Sequence, residues 1–298
     1  MTEIKVNLHG YVAPSFGAYW LKRTGLAGRN LAEAITDLCI DKGLGVYALT
    51  SEQGGDGREH CEERGKYIFE QATKSRDYAS AKLDDVAFAI RRRRDDKEVY
   101  FIEGQTLSVV EGDRKYEMLT FGSSSVPYGM NFHDTFAYLA DHGLPVIPEH
   151  ALSESAGGIG EESVIRYIDK FLALEHNAQM ALPNFPFSSM PKFKDFTRAK
   201  NSRVMEIAEE LGKPVVANDD SNWPSYMGAA YTVFDKDRLR FVSGRGLVDS
   251  IVHETLAWRA KPFLGHASTT DFLNWVGYEL MLREKALGCK KRWERKHL

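Results

Sequence analysis

Apolar residues fall along this chain in two alternating patterns. Short apolar runs recur at 4–10, 45–50, 99–104, 106–112, 115–122, 144–149, 172–177, 214–219 and 229–234, and they predict strands. Between them, 30–43, 130–143, 160–171 and 199–213 repeat apolar residues at spacings of three and four, which predicts helices. Three helix ends run through a glycine into a strand: KGLGVYALT, HGLPVIPE and LGKPVVAND. Helix, glycine cap and buried strand is the rhythm of βα units around a parallel sheet or barrel. Residues 54–97 are largely polar with weak helical period and end in RRRRDDKE, so they are expected to form a helical insertion. Residues 246–298 show no clear strand and are expected to form a C-terminal helical extension of the same single domain.

Composition narrows the class. An apolar fraction of 43% with 27% charged residues is that of a globular chain, so global disorder is excluded. The net charge of -3 gives no whole-molecule field to draw nucleic acid. Cys39, Cys61 and Cys289 are odd in number and form no CxxC pair, which argues against a disulfide framework or zinc ribbon and for reduced thiols in a cytoplasmic protein. No apolar run reaches the roughly 18 residues needed to span a bilayer, so no membrane partner is expected.

In a parallel βα architecture, the strand ends that lead into the connecting loops converge on one mouth, and ligand sites gather there. The polar residues at these ends are His9, Ser51 with Glu52, Glu149 with His150, Glu175 with His176 and Asn177, and Asp219 with Asp220. Side chains alternate along a strand, so Asp219 and Asp220 are not expected to share a wall. Other features read as ordinary structure. The loop SESAGGIGEES suits a helix entry more than an anion cradle, and FGSSSVPYG lacks the G-x-S-x-G elbow of a serine nucleophile. Trp223, Tyr226, Phe185 and Phe187 suit packing beneath the mouth better than stacking on a ligand. Lys290, Lys291, Arg292, Arg295 and Lys296, with Trp293 among them, are the one sizeable basic patch and the one place where nucleic acid could bind.

The order of these motifs resembles the PHP (polymerase and histidinol phosphatase) family of metal-dependent phosphoesterases. Where the family carries Asp-Leu-His-x-His, VNLHGYVAPSFG offers Asn7, His9 and Tyr11, with Ser15 and Gly17 in the Ser-x-Gly place. Where it carries Leu-Thr-Asp-His after Lys-Gly-Leu, DKGLGVYALTSEQ has Ser51 and Glu52. IEGQTLS stands in the place of Pro-Gly-x-Glu-x-Ser, with Thr106 at the glutamate. VIPEHAL resembles the Ala-His-Pro strand, with Glu149 or His150 at the histidine. NDDSNWPSYMGAAYTVF resembles Ser-Asp-Ala-His, with Asp220 on the aspartate and Asn222 on the histidine.

The resemblance runs from about residue 4 to 234 and implies a distorted (β/α)7 barrel. It also implies where the chemistry has changed. Each paired motif keeps its first member and swaps the second for a group that binds divalent metals poorly, Tyr11 beside His9 and Asn222 beside Asp220. Losing a single outer partner commonly costs ~10–100-fold in metal affinity or activity, so several direct losses should abolish a multinuclear centre. The preferred expectation is therefore a largely dismantled metal site with little or no activity. Its pocket of His9, Tyr11, Asp220 and Asn222 would bind a small ligand, a phosphorylated one among the candidates, or a protein partner, without a cofactor. The alternative is a phosphoesterase with a reduced site, in which His9, His150 and Asp220 hold Zn, Mn or Mg and Glu52 or Glu149 serves as ligand or base.

Overall fold

The computed structural model describes residues 2–10, 30–52, 62–190, 193–220, 226–270, 272, 273 and 276, the side chains of 51, 52 and 62–64 excepted. Its strands are β1 (Glu3–Gly10), β2 (Leu44–Glu52), β3 (Tyr78–Lys82), β4 (Ala87–Arg92), β5 (Lys97–Glu111) and β6 (Arg114–Phe121). There follow β7 (Val146–Pro148), β8 (Leu174–Asn177), β9 (Val215–Asn218), β10 (Tyr231–Asp235) and β11 (Lys261–Phe263). The principal helices are α1 (Leu31–Lys42), α2 (Glu62–Thr73), α3 (Phe132–Asp141), α4 (Glu161–Arg166), α5 (Arg198–Glu210) and α6 (Gly244–Leu256).

The predicted glycine caps form as expected. Gly43, Gly143 and Gly212 all take positive φ (72°, 59° and 62°), a region open to glycine because it has no Cβ. At the first of them, α1 begins where the Asn30 side chain accepts the Glu33 N–H, and it ends where the Gly43 N–H donates to the Cys39 and Ile40 carbonyls. The chain then turns directly into β2.

The sheets differ from a closed ring of parallel strands. Nine strands form one mixed sheet in the order β11-β10-β1-β2-β5-β4-β3, with β6 pairing β5 and β7. Only β1–β2 and β2–β5 are parallel within it. The remaining two, β8 and β9, form a separate parallel ladder. Single bonds tie that ladder to its neighbours. The Leu172 N–H donates to the Val146 carbonyl on one side. On the other, the Ala217 N–H donates to the Thr232 hydroxyl and the Leu8 N–H to Asn218 Oδ1. The strands at these gaps are short, and side-chain oxygens take backbone donors that a ladder would otherwise use. Among the described residues, the expected barrel is thus a mixed α/β fold without a closed sheet.

Three further expectations change. The two runs 99–104 and 106–112 form one 15-residue strand, β5. Gly104 lies within it because a Cβ there would stand 2.8 Å from Thr50 Cγ2, so the glycine serves close approach rather than a break. Among the described residues, the insertion is helical only at α2; its second half is the β3–β4 hairpin, whose Ala87–Ile90 run is buried on both faces and so shows no alternation. The C-terminal region contributes α6 and then a short strand, β11, while residues 277–298 with their basic patch lie outside the described residues. Among the described residues, no helix is long and apolar enough to cross a membrane.

Two apolar layers pack outside the sheet, α1 and α2 over β2, β4 and β5, and α3 and α5 over β5, β6, β8 and β9. A third cluster fills the interior, with Val6, Leu8, Val46, Ile102, Leu119 and Ile147 facing one another and Leu247, Val248 and Ile251 of α6 packed against them. The parity of these positions fixes which residues farther along each strand also face inward.

Candidate functional site

Continuing each inward parity past the apolar core leads to charge. Leu119 is followed two places away by Glu117, and Ile147 by Glu149; Glu175 lies opposite in parity to the outward Leu174. His9 arrives differently. Leu8 already faces the interior, so regular alternation would turn His9 away. Between Asn7 and Gly10, however, three steps on β1 match two on β2 (Tyr47 to Leu49), which is a bulge. It turns His9 inward as well.

There His9 is fully buried among three carboxylates. Its Nδ1 lies 2.9 Å from Glu175 Oε1, and its Nε2 lies 2.9 Å from Glu149 Oε1 and 3.4 Å from Asp220 Oδ1. Glu149 faces a second imidazole, with Oε1 3.4 Å from His150 Nε2, and that nitrogen is 3.6 Å from Glu117 Oε2. Two triads follow, His9–Glu149–Asp220 and Glu117–Glu149–His150, each with its ligand atoms within 4.8 Å of one another. Glu149 belongs to both. His150 and Asp220 sit at positive φ (29° and 46°), backbone strain that persists where the surroundings over-determine it.

Glu175 is the scaffold. Besides His9 it accepts the His150 backbone N–H at 2.8 Å, Asn177 Nδ2 at 3.1 Å and Asn218 Nδ2 at 2.9 Å. A carboxylate on Nδ1 fixes the ring and leaves Nε2 facing the triad, the usual support for a metal-binding imidazole. Asp220 is held by Asn177 Nδ2 at 3.1 Å. Asp219 turns the other way, to the Asn7 amide and the Gly228 N–H, so the adjacent aspartates have separate partners, as their alternation required.

The electrostatics follow from burial and crowding. For His9, burial is the largest influence and opposes protonation, yet the fields of Asp220, Glu149 and Glu175 raise its pKa well above the usual value. His150 behaves alike: burial opposes, and Glu149 prevails to bring it to about 9. Burial pushes Asp220 up to about 6, partly offset by His9. Glu149 and Glu175 are disfavoured by burial but held below the usual carboxylate range by His9. Even with both rings protonated, four carboxyls face two imidazoles.

The donor set fits a divalent cation. His9 Nε2 is 2.9 Å from Glu149 Oε1 yet too far out of line to hydrogen-bond it, and among the described residues Glu149 Oε2 and His150 Nδ1 have no partner either. Donors bound at ~2.0–2.1 Å around a tetrahedral ion stand roughly 3.3 Å apart, close to the separations here. Carboxylate with imidazole suits zinc or manganese.

Of the residues expected from sequence, His9, Glu149, His150 and Asp220 come together. Tyr11 and Asn222 lie outside the described residues, as does the Glu52 side chain, whose backbone pairs with Thr106. His176 faces away, with Nε2 2.9 Å from the Gly265 carbonyl. Tyr226 is buried and Phe187 packs with Phe193, leaving Phe185 exposed. Glu117 is not among the residues the sequence points to, although its parity with Leu119 is a readable signal, and Glu175, expected at a strand end on the mouth, is fully buried.

No protein-family model and no curated protein matches the chain. Among solved structures it is similar to PsfC from Pseudomonas syringae PB-5123, with a TM-score of 0.55 and 11% identity, over 96% of this chain and all of PsfC. It is also similar to a two-domain protein from Bacteroides vulgatus ATCC 8482 containing a predicted PHP-like metal-dependent phosphoesterase. That match has a TM-score of 0.52 and 13% identity, over 89% of this chain and 65% of the other. The chain has a PHP-like fold. At these identities the likeness speaks to architecture alone, and the chemistry of this chain rests on its own residues.

Proposed function

We propose that this chain is a divalent-metal-dependent phosphoesterase with a rebuilt PHP-like site. The observation that carries the reading is Glu149, a buried carboxylate common to two His–carboxylate triads, where His9 Nε2 and Glu149 Oε2 have no hydrogen-bond partner among the described residues. His9, Glu149 and Asp220 would hold one ion, and Glu117, Glu149 and His150 offer a second place. A bound divalent ion supplies polarisation of a phosphoryl oxygen and a water acidic enough to attack at neutral pH. The chain's own residues do the positioning. Glu175 holds the His9 ring, Asn177 steadies both Glu175 and Asp220, and the bulge in β1 presents His9 to the interior.

The likeness to a protein containing a predicted metal-dependent phosphoesterase supports the same reaction class. A second reading, a non-catalytic ligand pocket, is favoured by Thr106, a buried hydroxyl where the PHP resemblance places a glutamate. One experiment separates them. Protein purified without chelator is assayed for metal content and for phosphate release with manganese or zinc. The phosphoesterase reading expects stoichiometric metal and turnover, both lost at least 100-fold in His9→Ala. Metal-free, inactive wild-type protein under all these conditions would leave the pocket reading.

A further inference from the structure

Beside the two triads, the inward face of β5 carries hydroxyls with nothing to bind. Thr106 and Ser108 share that face with Gly104 and Ile102, the latter in the interior core. They are 2% and 7% exposed, and among the described residues neither Oγ has a hydrogen-bond partner. Ser108 lies directly across the β5–β6 ladder from Glu117, and Thr106 across from Leu119. Directly opposed residues have Cβ atoms about 4.5–5.5 Å apart, so the Ser108 hydroxyl stands beside the Glu117–Glu149–His150 triad. A buried hydroxyl without a partner costs stability and asks for an explanation.

We infer that Thr106 and Ser108 form a neutral donor wall that binds the anionic phosphoryl oxygens of the substrate. The inference rests on the phosphoesterase reading and extends it to the β5 side of the site. Phosphoryl groups carry negative charge into a site already rich in carboxylates, so the protein needs donors that add no further anion. Hydroxyl groups meet that need. Each can rotate its hydrogen toward an oxyanion, and the bond that forms is charge-assisted. A threonine in place of a glutamate thus becomes a change of role, from gripping a cation to gripping the group that the cation activates.

The test uses the full chain loaded with manganese and inorganic phosphate as the probe, titrated calorimetrically, with Tm measured on the metal-free protein. Replacing both hydroxyls (T106V with S108A) should weaken phosphate binding tenfold or more, since bonds to a charged acceptor are the strong class. T106V alone should lose part of that, and T106S should retain it. Tm should stay level or rise, because an unpartnered polar atom has been replaced by an apolar one. Unchanged phosphate affinity in the double variant, or no phosphate binding by manganese-loaded wild type, overturns the inference. If phosphate affinity falls as expected while no phosphate ester is hydrolysed, the wall stands and the catalytic reading fails.

Discussion

This protein buries two clusters of charge, and they are built to opposite ends. On the outer face of the sheet, Arg92 is 4% exposed and spends its whole guanidinium on carboxylates. Nη1 reaches Asp37 at 2.8 Å and Asp41 at 3.2 Å, while Nε and Nη2 grip Asp95 at 3.0 and 2.6 Å. Tyr78 adds its hydroxyl to Asp37 at 2.7 Å. Acid exceeds base here too, but the surplus sits on Asp41 and Asp95, whose side chains are 60% and 31% exposed and so keep their water. In the interior, the Glu149 and Asp220 side chains are only 6% and 3% exposed, and the surplus has nowhere to go. A cluster that satisfies itself ties β4 to α1. A cluster that buries surplus charge with unmatched donors and acceptors is prepared for something from outside.

The sharpest way to break this contrast is at the satisfied end. Arg92→Met should cost about 3 kcal/mol, since removing one partner of a buried pair leaves Asp37 without its guanidinium; the cost lies at the low end because part of the network reaches water. The loss is read from urea denaturation. Manganese stoichiometry should be unchanged. If Arg92→Met also strips the metal, the two clusters are one unit and the contrast is gone.

The interior end is tested more gently at Glu175, which touches His9 but belongs to neither triad. Glu175→Gln keeps the volume and removes the charge that orients Nδ1. Metal affinity should fall ~10–100-fold, the usual cost of an orienting carboxylate, with stoichiometry retained at high metal concentration. A smaller change would make Glu175 a packing residue. A loss as complete as that of His9→Ala would make it a ligand.

How much of this could be read beforehand depends on the range of the forces involved. Glycine caps and apolar runs are local, so Gly43, Gly143 and Gly212 and most strand positions were legible. Sheet closure was not, because it depends on which distant donors Asn218 and Thr232 accept. The β3–β4 hairpin was hidden because AFAI is apolar on both faces and RRRRDDKE looks like a solvated helix, although its centre is the turn into β5. At the site, the identities of His9, Glu149, His150 and Asp220 were visible at strand ends. The direction of His9 was not, since the bulge that reverses its face is set by register with β2. Glu175 was visible at its strand end, and Glu117 could be found by carrying parity from Leu119.

The smallest effect expected tests the cost of crowding directly. Asp220 is pushed up to about 6, chiefly by burial, against an ordinary carboxyl pKa near ~3.9 in the unfolded chain. The folded metal-free protein therefore holds this proton more tightly than the unfolded one. Below about pH 4 the proton is present in both states and no penalty exists. As pH rises through 6, the folded state must either ionise a disfavoured carboxyl or keep binding a proton, and stability falls. Asp220→Asn, permanently neutral, should escape this. In chelator-treated protein its Tm should match wild type near pH 4 and exceed it by a few degrees at pH 8. With manganese present the order should reverse, because the carboxylate that burdens the empty site is then a ligand. An Asp220→Asn advantage that does not grow with pH would mean that His9 and His150 neutralise Asp220 fully, and the interior cluster would be as self-sufficient as that of Arg92.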